Sequence, residues 1–219
     1  MPDDPKPALP ARPRISTRTA PAAWSGNDFS VTGLELAAAD LTAADTSYAE
    51  ISASRFSEVL LSGSSWRRAS LADTELGGCD LANAHFVDSG WQRVTIRRSR
   101  LTGLQLAGCS LRNVKISDCG VNLINLRSAE LQRVEFVGCS LVGSDWGAAR
   151  LTDVGFTDCD LTEAAFSNAR MARVRFVRCR LVRLSGVTGL AGSVIDRGDL
   201  LELAETLAAS VGITVHAGE

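Results

Sequence analysis

A five-residue period dominates this sequence and constrains its fold more than any other feature. Stepping by five from Leu36 to Leu181 passes through thirty positions, and all but Thr46 hold a large apolar residue. The residue two before each of these centres forms a second column, nearly all small or β-branched: Ala39, Val59, Ser64, Cys79, Val94, Cys119, Ala129 and so on, with Leu104 and Ile124 larger. The positions between are mostly polar, charged or glycine. An α-helix repeats every 3.6 residues and a strand every 2, so neither produces this pattern. A fixed short period over most of a chain points to a repeat architecture.

The units read Ala39-Asp40-Leu41-Thr42-Ala43, Cys79-Asp80-Leu81-Ala82-Asn83 and Cys159-Asp160-Leu161-Thr162-Glu163. On these residues the chain resembles the pentapeptide-repeat proteins, over about residues 31–185. The resemblance implies an all-β fold, a right-handed quadrilateral parallel β-helix in which each pentapeptide makes one face and four make a coil of twenty residues. The sequence carries its own check, because residues twenty apart should then stack. Cys79, Cys119, Cys139, Cys159 and Cys179 fall in one such column, Val94, Val114, Val134, Val154 and Val174 in another, and Phe136, Phe156 and Phe176 in a third. Like packing on like is what nearest-neighbour stacking in a solenoid favours. Centres and small residues should point inward and fill a narrow core. The coils should build a rod about 36 Å long at about 4.8 Å per coil. Its register is unbroken, so no loop is expected to leave the body.

The ends differ from the body. All six prolines lie in the first 21 residues. Proline lacks the N–H that a ladder needs, so residues 1–25 are expected to be a disordered tail, either solvated or, through Arg12, Arg14 and Arg18, a phosphate- or partner-binding arm. Residues 26–188 are expected to form the β-helix and 189–219 a C-terminal cap. Gly192–Gly198 is expected to be a loop. Asp199 and Glu202 resemble an acidic capping box, followed by apolar residues at helical spacing: Leu200, Leu203, Ala204, Leu207, Ala208 and Val211. This predicts a helix over about 199–211, closed by Gly212, and a short strand at Ile213–Val215. Leu200, Leu203 and Leu207 are candidates for a buried cap over Phe176 and Leu181 or for a dimer contact, with Leu203 and Leu207 expected on the buried face. The gyrase-binding branch of the resembled family dimerises through a C-terminal segment, which implies a homodimer.

No catalytic chemistry stands out. The six cysteines all fall in the small inward column, where a free thiol serves as core filler. They show no C-x-x-C spacing and no neighbouring histidine, so neither metal nor cofactor is expected. Trp66, Phe86, Trp91 and Trp146 occupy core centres, while Trp24 and Tyr48 lie off the register. His85 should point outward, and no Ser/His/Asp arrangement is marked. No stretch approaches eighteen consecutive apolar residues, so no membrane span is expected. The absence of an apolar N-terminal region adds an expectation of a cytoplasmic protein.

Charge is the remaining signal. The whole chain carries −2, against a generally basic nucleic-acid binder. Residues 31–90 hold nine acids and three bases, whereas 91–181 hold eight acids and fourteen bases. Relatives of the unbroken, loop-free type bind DNA gyrase or topoisomerase IV as DNA mimics and protect it from poisons. This resemblance implies a non-enzymatic binder whose contact surface is acidic. The even overall balance confines any mimicry to the N-terminal half, with Asp40, Asp45, Glu50, Glu75 and Asp80 as candidate contacts. The alternative is a scaffold or nucleic-acid-binding module that uses the basic half, through Arg170, Arg173, Arg175, Arg178 and Arg180.

Overall fold

The computed structural model describes residues 30–215; the proline-rich tail, Trp24 and His216 lie outside them. Every strand pairing is parallel. The strands are β1 (Ser30–Thr32), β2 (Glu35–Ala37), β3 (Glu50–Ser52), β4 (Arg55–Ser57), β5 (Ser70–Gly77), β6 (Gly90–Arg97), β7 (Ser110–Ser117), β8 (Glu130–Val137), β9 (Arg150–Thr157), β10 (Arg170–Ala172), β11 (Val174–Val177) and β12 (Ser193–Ile195). From β1 to β11 each residue pairs with the residue twenty away, as in Leu71 with Trp91, Val114 with Val134 and Phe136 with Phe156. The strands build two faces of each coil. The other two are held by single bridges at the same spacing, such as Asp40 with Leu60 and Asp45 with Ser65. The chain is a β-solenoid with a twenty-residue coil and one C-terminal helix.

The centres fill the axis. Phe156 is fully buried and stacks on Phe136 (ring centroids 5.2 Å apart, 6° between planes) and on Phe176 (4.8 Å, 3°). Thr46, the one polar centre, is also fully buried. It is tolerated there because its hydroxyl donates to the Ser65 carbonyl at 3.1 Å, which removes most of the cost of burying it. Trp66 and Trp146 donate their Nε1–H to Ser64 and Ser144, two residues earlier, at 2.9 and 2.8 Å. Trp91 has Ser89 at the same offset, but that hydroxyl donates to the Trp66 carbonyl instead. Trp91 Nε1 is the one buried side-chain nitrogen or oxygen without a partner among the described residues.

Two backbone features turn the corners. The aspartate or asparagine before many centres is more than a solubilising group. Its carboxylate or amide oxygen accepts the N–H of the residue after the centre: Thr42 to Asp40 at 2.9 Å, Ser47 to Asp45 at 3.1 Å, Ala82 to Asp80 at 3.0 Å, Thr162 to Asp160 at 2.9 Å. This is the turn-forming role of short polar side chains. The second feature lies two residues after each centre. All thirty such residues, from Ala38 to Arg183, have φ between 47° and 72°. That left-handed conformation costs an L-residue about 1–2 kcal/mol. It persists because the inter-coil ladder fixes the same residue's N–H, as for Asp88 to the Ala107 carbonyl at 3.0 Å.

The C-terminal end departs from expectation in three places. The segment after Gly192 is not a loop: β12 continues the sheet in parallel register with β11, pairing Val174 with Ser193 and Phe176 with Ile195. Helix α1 spans Arg197–Ser210, with Asp196 as its N-cap residue. Asp199 and Glu202 do not form a capping box, because their carboxylates accept the backbone N–H groups of Cys179 (2.7 Å) and Leu181 (3.0 Å) on the last coil. Leu203 is fully buried, whereas Leu200 and Leu207 are exposed; with both acids turned to the coil, only one apolar row of α1 faces it. Ile213–Val215 forms no strand.

Candidate interaction surface

The inward cysteines are closed to chemistry. All six are buried free thiols. Burial pushes Cys109 up to about 12 and raises Cys79. Cys119 is raised as well, first by the neighbouring Cys139 thiol and then by burial, and Cys159 by its neighbours Cys139 and Cys179 and then by burial. The same thiol contacts lower Cys139 and Cys179, so it is burial that closes the column to reagents. The column also helps to join the coils, since the Ser99 N–H donates to Cys119 Sγ at 3.4 Å, as the Cys79 N–H does to Ser99 Oγ at 3.1 Å. Native protein should therefore react with a thiol reagent far more slowly than denatured protein at Cys119, Cys139 and Cys159. Mass spectrometry after timed labelling checks this, and rapid native labelling of that column would refute the packing described here. Among the described residues no group of three or more His, Cys, Asp or Glu side chains is placed to hold a metal ion.

The surface is organised by ion pairs between coils. At the left-handed corner two after each centre, Arg93 pairs with Asp73 through two bonds (2.5 and 2.6 Å), Arg178 with Asp158 (2.6 and 2.7 Å), Arg173 with Asp153, and Arg183 with Glu163 (2.7 Å). In each the acid lies one coil before the arginine. The same corner holds three pairs in the opposite order, Arg68/Asp88, Arg98/Asp118 and Arg133/Asp153, and none of these forms an ion pair among the described residues. The cause is directional. Arginines here reach back one coil, as Arg133 does to Asn113 at 2.7 Å. The acids Asp88 and Asp118 lean forward over Gly108 and Gly138. At this corner an acid followed by arginine therefore converges, and an arginine followed by acid diverges; elsewhere on the coil the order does not decide, since Arg55 reaches forward to Glu75.

These pairs sort the candidate residues. Asp80 is bound to Arg100 at 2.5 Å, and Glu75 to Arg55 at 3.1 Å with Arg97 at 4.0 Å. Asp40, Asp45 and Glu50 are exposed and form no ion pair among the described residues. Hydrogen bonds from Thr42 and Ser47 hold the carboxyls of Asp40 and Asp45 below the usual carboxylate range, so both stay charged. Glu58 and Asp88 are exposed acids of the same kind that composition does not single out; the column neighbours are the signal that does, since Glu58 has only Ala38 and Gly78 beside it and Asp88 follows Arg68. On the basic side Arg173 and Arg178 are paired. Arg175 is half-buried on β11, and Arg170 and Arg180 form no ion pair among the described residues. Beyond the rod, α1 and its tail expose Leu200, Leu201, Val211, Ile213 and Val215. Among the described residues no helix is long and apolar enough to cross a membrane.

Comparison with known proteins bears on the repeat alone. No curated protein matches this chain. Among solved structures, it is 21% identical to HetL, a pentapeptide repeat protein involved in heterocyst differentiation regulation from the cyanobacterium Nostoc, over 79% of this chain and 87% of that one, with a TM-score of 0.48. It is 24% identical to full-length QnrB1, a plasmid-mediated fluoroquinolone resistance protein, over 83% and 92% of the two chains, with a TM-score of 0.47. The family model for pentapeptide repeats matches in eight copies, over residues 49–88 and 149–183. Those two stretches carry pentapeptide repeats, and the same five-residue register and twenty-residue coil run between them; in this the chain is similar to the pentapeptide-repeat proteins.

Proposed function

We propose that this protein is a non-enzymatic binding module of the cytoplasm that engages a type II topoisomerase, DNA gyrase or topoisomerase IV, through the acidic corners of its first coils and shields it from poisons. The observation that carries this reading is the trio Asp40, Asp45 and Glu50. They are exposed on three successive faces and, among the described residues, outside the ion pairs that neutralise most other charges on the rod, with only the more distant charge of Arg67 acting on Asp45. A run of fixed carboxylates on a stiff, loop-free body is the feature that a site shaped for DNA phosphates would accept. The paired Glu75 and Asp80 contribute less, because their charge is already met by arginine. The pairing of Arg173 and Arg178 likewise weakens the alternative basic surface. The exposed apolar residues of α1 and its tail suit a second copy of the chain, giving a homodimer.

The test should remove charge without removing hydrogen bonds. Asp40→Asn and Asp45→Asn keep the oxygen that caps the turn, and Glu50→Gln is nearly isosteric. The triple variant should bind gyrase at least about tenfold more weakly than wild type, and added salt should weaken wild-type binding. Arg170→Gln with Arg180→Gln should leave affinity unchanged. Calorimetric titration against gyrase, with supercoiling measured in the presence of a poison, reads both. Unchanged binding by the acidic triple, or no gyrase binding by wild type, would end this reading.

A further inference from the structure

One part of the acidic half runs against its surroundings. Arg67 and Arg68 stand on coils where acids predominate, and neither forms an ion pair among the described residues, although the Arg67 charge reaches Asp45. Arg68 precedes Asp88 in its column, which is the order in which the two diverge. Its guanidinium lies instead over the Tyr48 ring, with Cζ 5.8 Å from the centroid, and Nη1 donates to the Tyr48 hydroxyl at 3.2 Å. On the adjoining face Asp45, Ser65 and His85 follow one another on successive coils. Ser47 ties this column together, donating to Asp45 Oδ1 at 2.6 Å and lying 3.2 Å from Ser65 Oγ. These side chains line an open cleft of about 510 Å³ that contains the sole tyrosine of the sequence and one of its two histidines.

We propose that this cleft is a docking site for a short protein segment bearing adjacent carboxylates flanked by basic residues. The two guanidinium groups match two carboxylates, and guanidinium is the cation best shaped to grip a carboxylate in two places. Tyr48 holds Arg68 in position, so little side-chain freedom is lost on binding. Exposed tyrosine beside arginine is the composition of an interface anchor. Asp45 and Asp88 line the same cleft and fit the flanking cations of the segment. A nucleic acid brings no such cations, and its phosphates would face these and the other acids of residues 31–90 unrelieved. The exposure of Tyr48, Arg67, Arg68 and His85 argues against a small metabolite, which needs most of its surface enclosed. The site stands apart from the topoisomerase reading, since of the acids invoked there it shares only Asp45.

The probe is the peptide acetyl-Gly-Lys-Glu-Glu-Lys-Gly-amide, with a Gln-Gln version as control, titrated into the isotopically labelled full chain and followed by NMR. The Glu-Glu peptide should shift the signals of Tyr48, Arg67, Arg68 and His85 saturably, and the Gln-Gln peptide should bind at least about tenfold more weakly. Arg67→Gln with Arg68→Gln should cost the Glu-Glu peptide a similar factor and leave the unfolding midpoint unchanged, because both side chains lie outside the core. Three results would each overturn the proposal: equal binding of the two peptides, shifts centred on Arg98 and Arg112 instead, or tighter binding of an oligothymidylate to the same cleft. Gyrase binding is read separately with Asp40→Asn and Glu50→Gln, which lie outside the cleft, so either idea can fail alone.

Discussion

Phe156→Ala should lower the free energy of unfolding by about 3–5 kcal/mol, among the largest effects expected of a single substitution in this chain. The ring is fully buried. It lies between Phe136 and Phe176 and meets the Trp146 ring edge-on at 5.4 Å and 85°. The core is one centre deep on each face, so no second layer of side chains can move in to fill the space. Coils above and below are pinned by the parallel ladder and cannot close up. Each coil also contacts only its neighbours, so a weakened interface is felt by the whole stack. Arg112→Ala, exposed and outside every ion pair among the described residues, should change stability by less than about 0.5 kcal/mol. Urea unfolding of the two variants checks the pair, and equal destabilisation would contradict the assignment of inward and outward positions.

What made the core legible was its period. Thirty centres at a spacing of five admit one architecture, and the cysteine, valine and phenylalanine columns specify how coils stack. The outward positions were harder, because their roles depend on backbone geometry that a residue type only hints at. Asp160 reads as a solvated acid, yet its carboxylate accepts both the N–H and the hydroxyl of Thr162 at 2.9 and 2.6 Å. The left-handed corner left a trace in Gly63, Gly78, Gly103, Asn83, Asn113 and Asp118, residue types that tolerate positive φ. Arg93, Arg173 and Arg178 at the same corner obscure that trace. There the inter-coil bond to an acid on the preceding coil accompanies the strained backbone. The surface likewise could not be read from totals of charge. Asp73 and Asp88 look alike in composition, but one is neutralised by Arg93 and the other is not, because of which partner comes first along the column.

The C-terminal cap gives the second large effect. A coil's upward-facing N–H groups normally find acceptors on the next coil, as Leu161 does on the Arg180 carbonyl at 2.9 Å. After the last coil there is no such carbonyl, and three substitutes stand in. β12 pairs with β11, and the Asp196 N–H donates to the Phe176 carbonyl at 3.0 Å. Asp199 takes the Cys179 N–H from the position, twenty residues on, where Ser99 takes that of Cys79. Glu202 takes the Leu181 N–H, and Leu203 covers the end of the core. Asp199→Ala with Glu202→Ala should therefore leave two part-buried amides without acceptors, at a cost of about 1–3 kcal/mol apiece. Asp199→Asn with Glu202→Gln keeps the oxygens and should recover most of the loss. Deleting residues 193–219 uncovers both the edge and the apolar core, which is a template for association, and the truncated rod should aggregate. Leu201 is 80% exposed and takes no part in the cap. Leu201→Asp should therefore leave unfolding unchanged while reducing the mass of the proposed dimer to that of one chain. Urea unfolding and light scattering on the four variants separate the outcomes. If the double alanine variant unfolds with the wild type and the truncated chain stays monodisperse, the helix does not cap the solenoid.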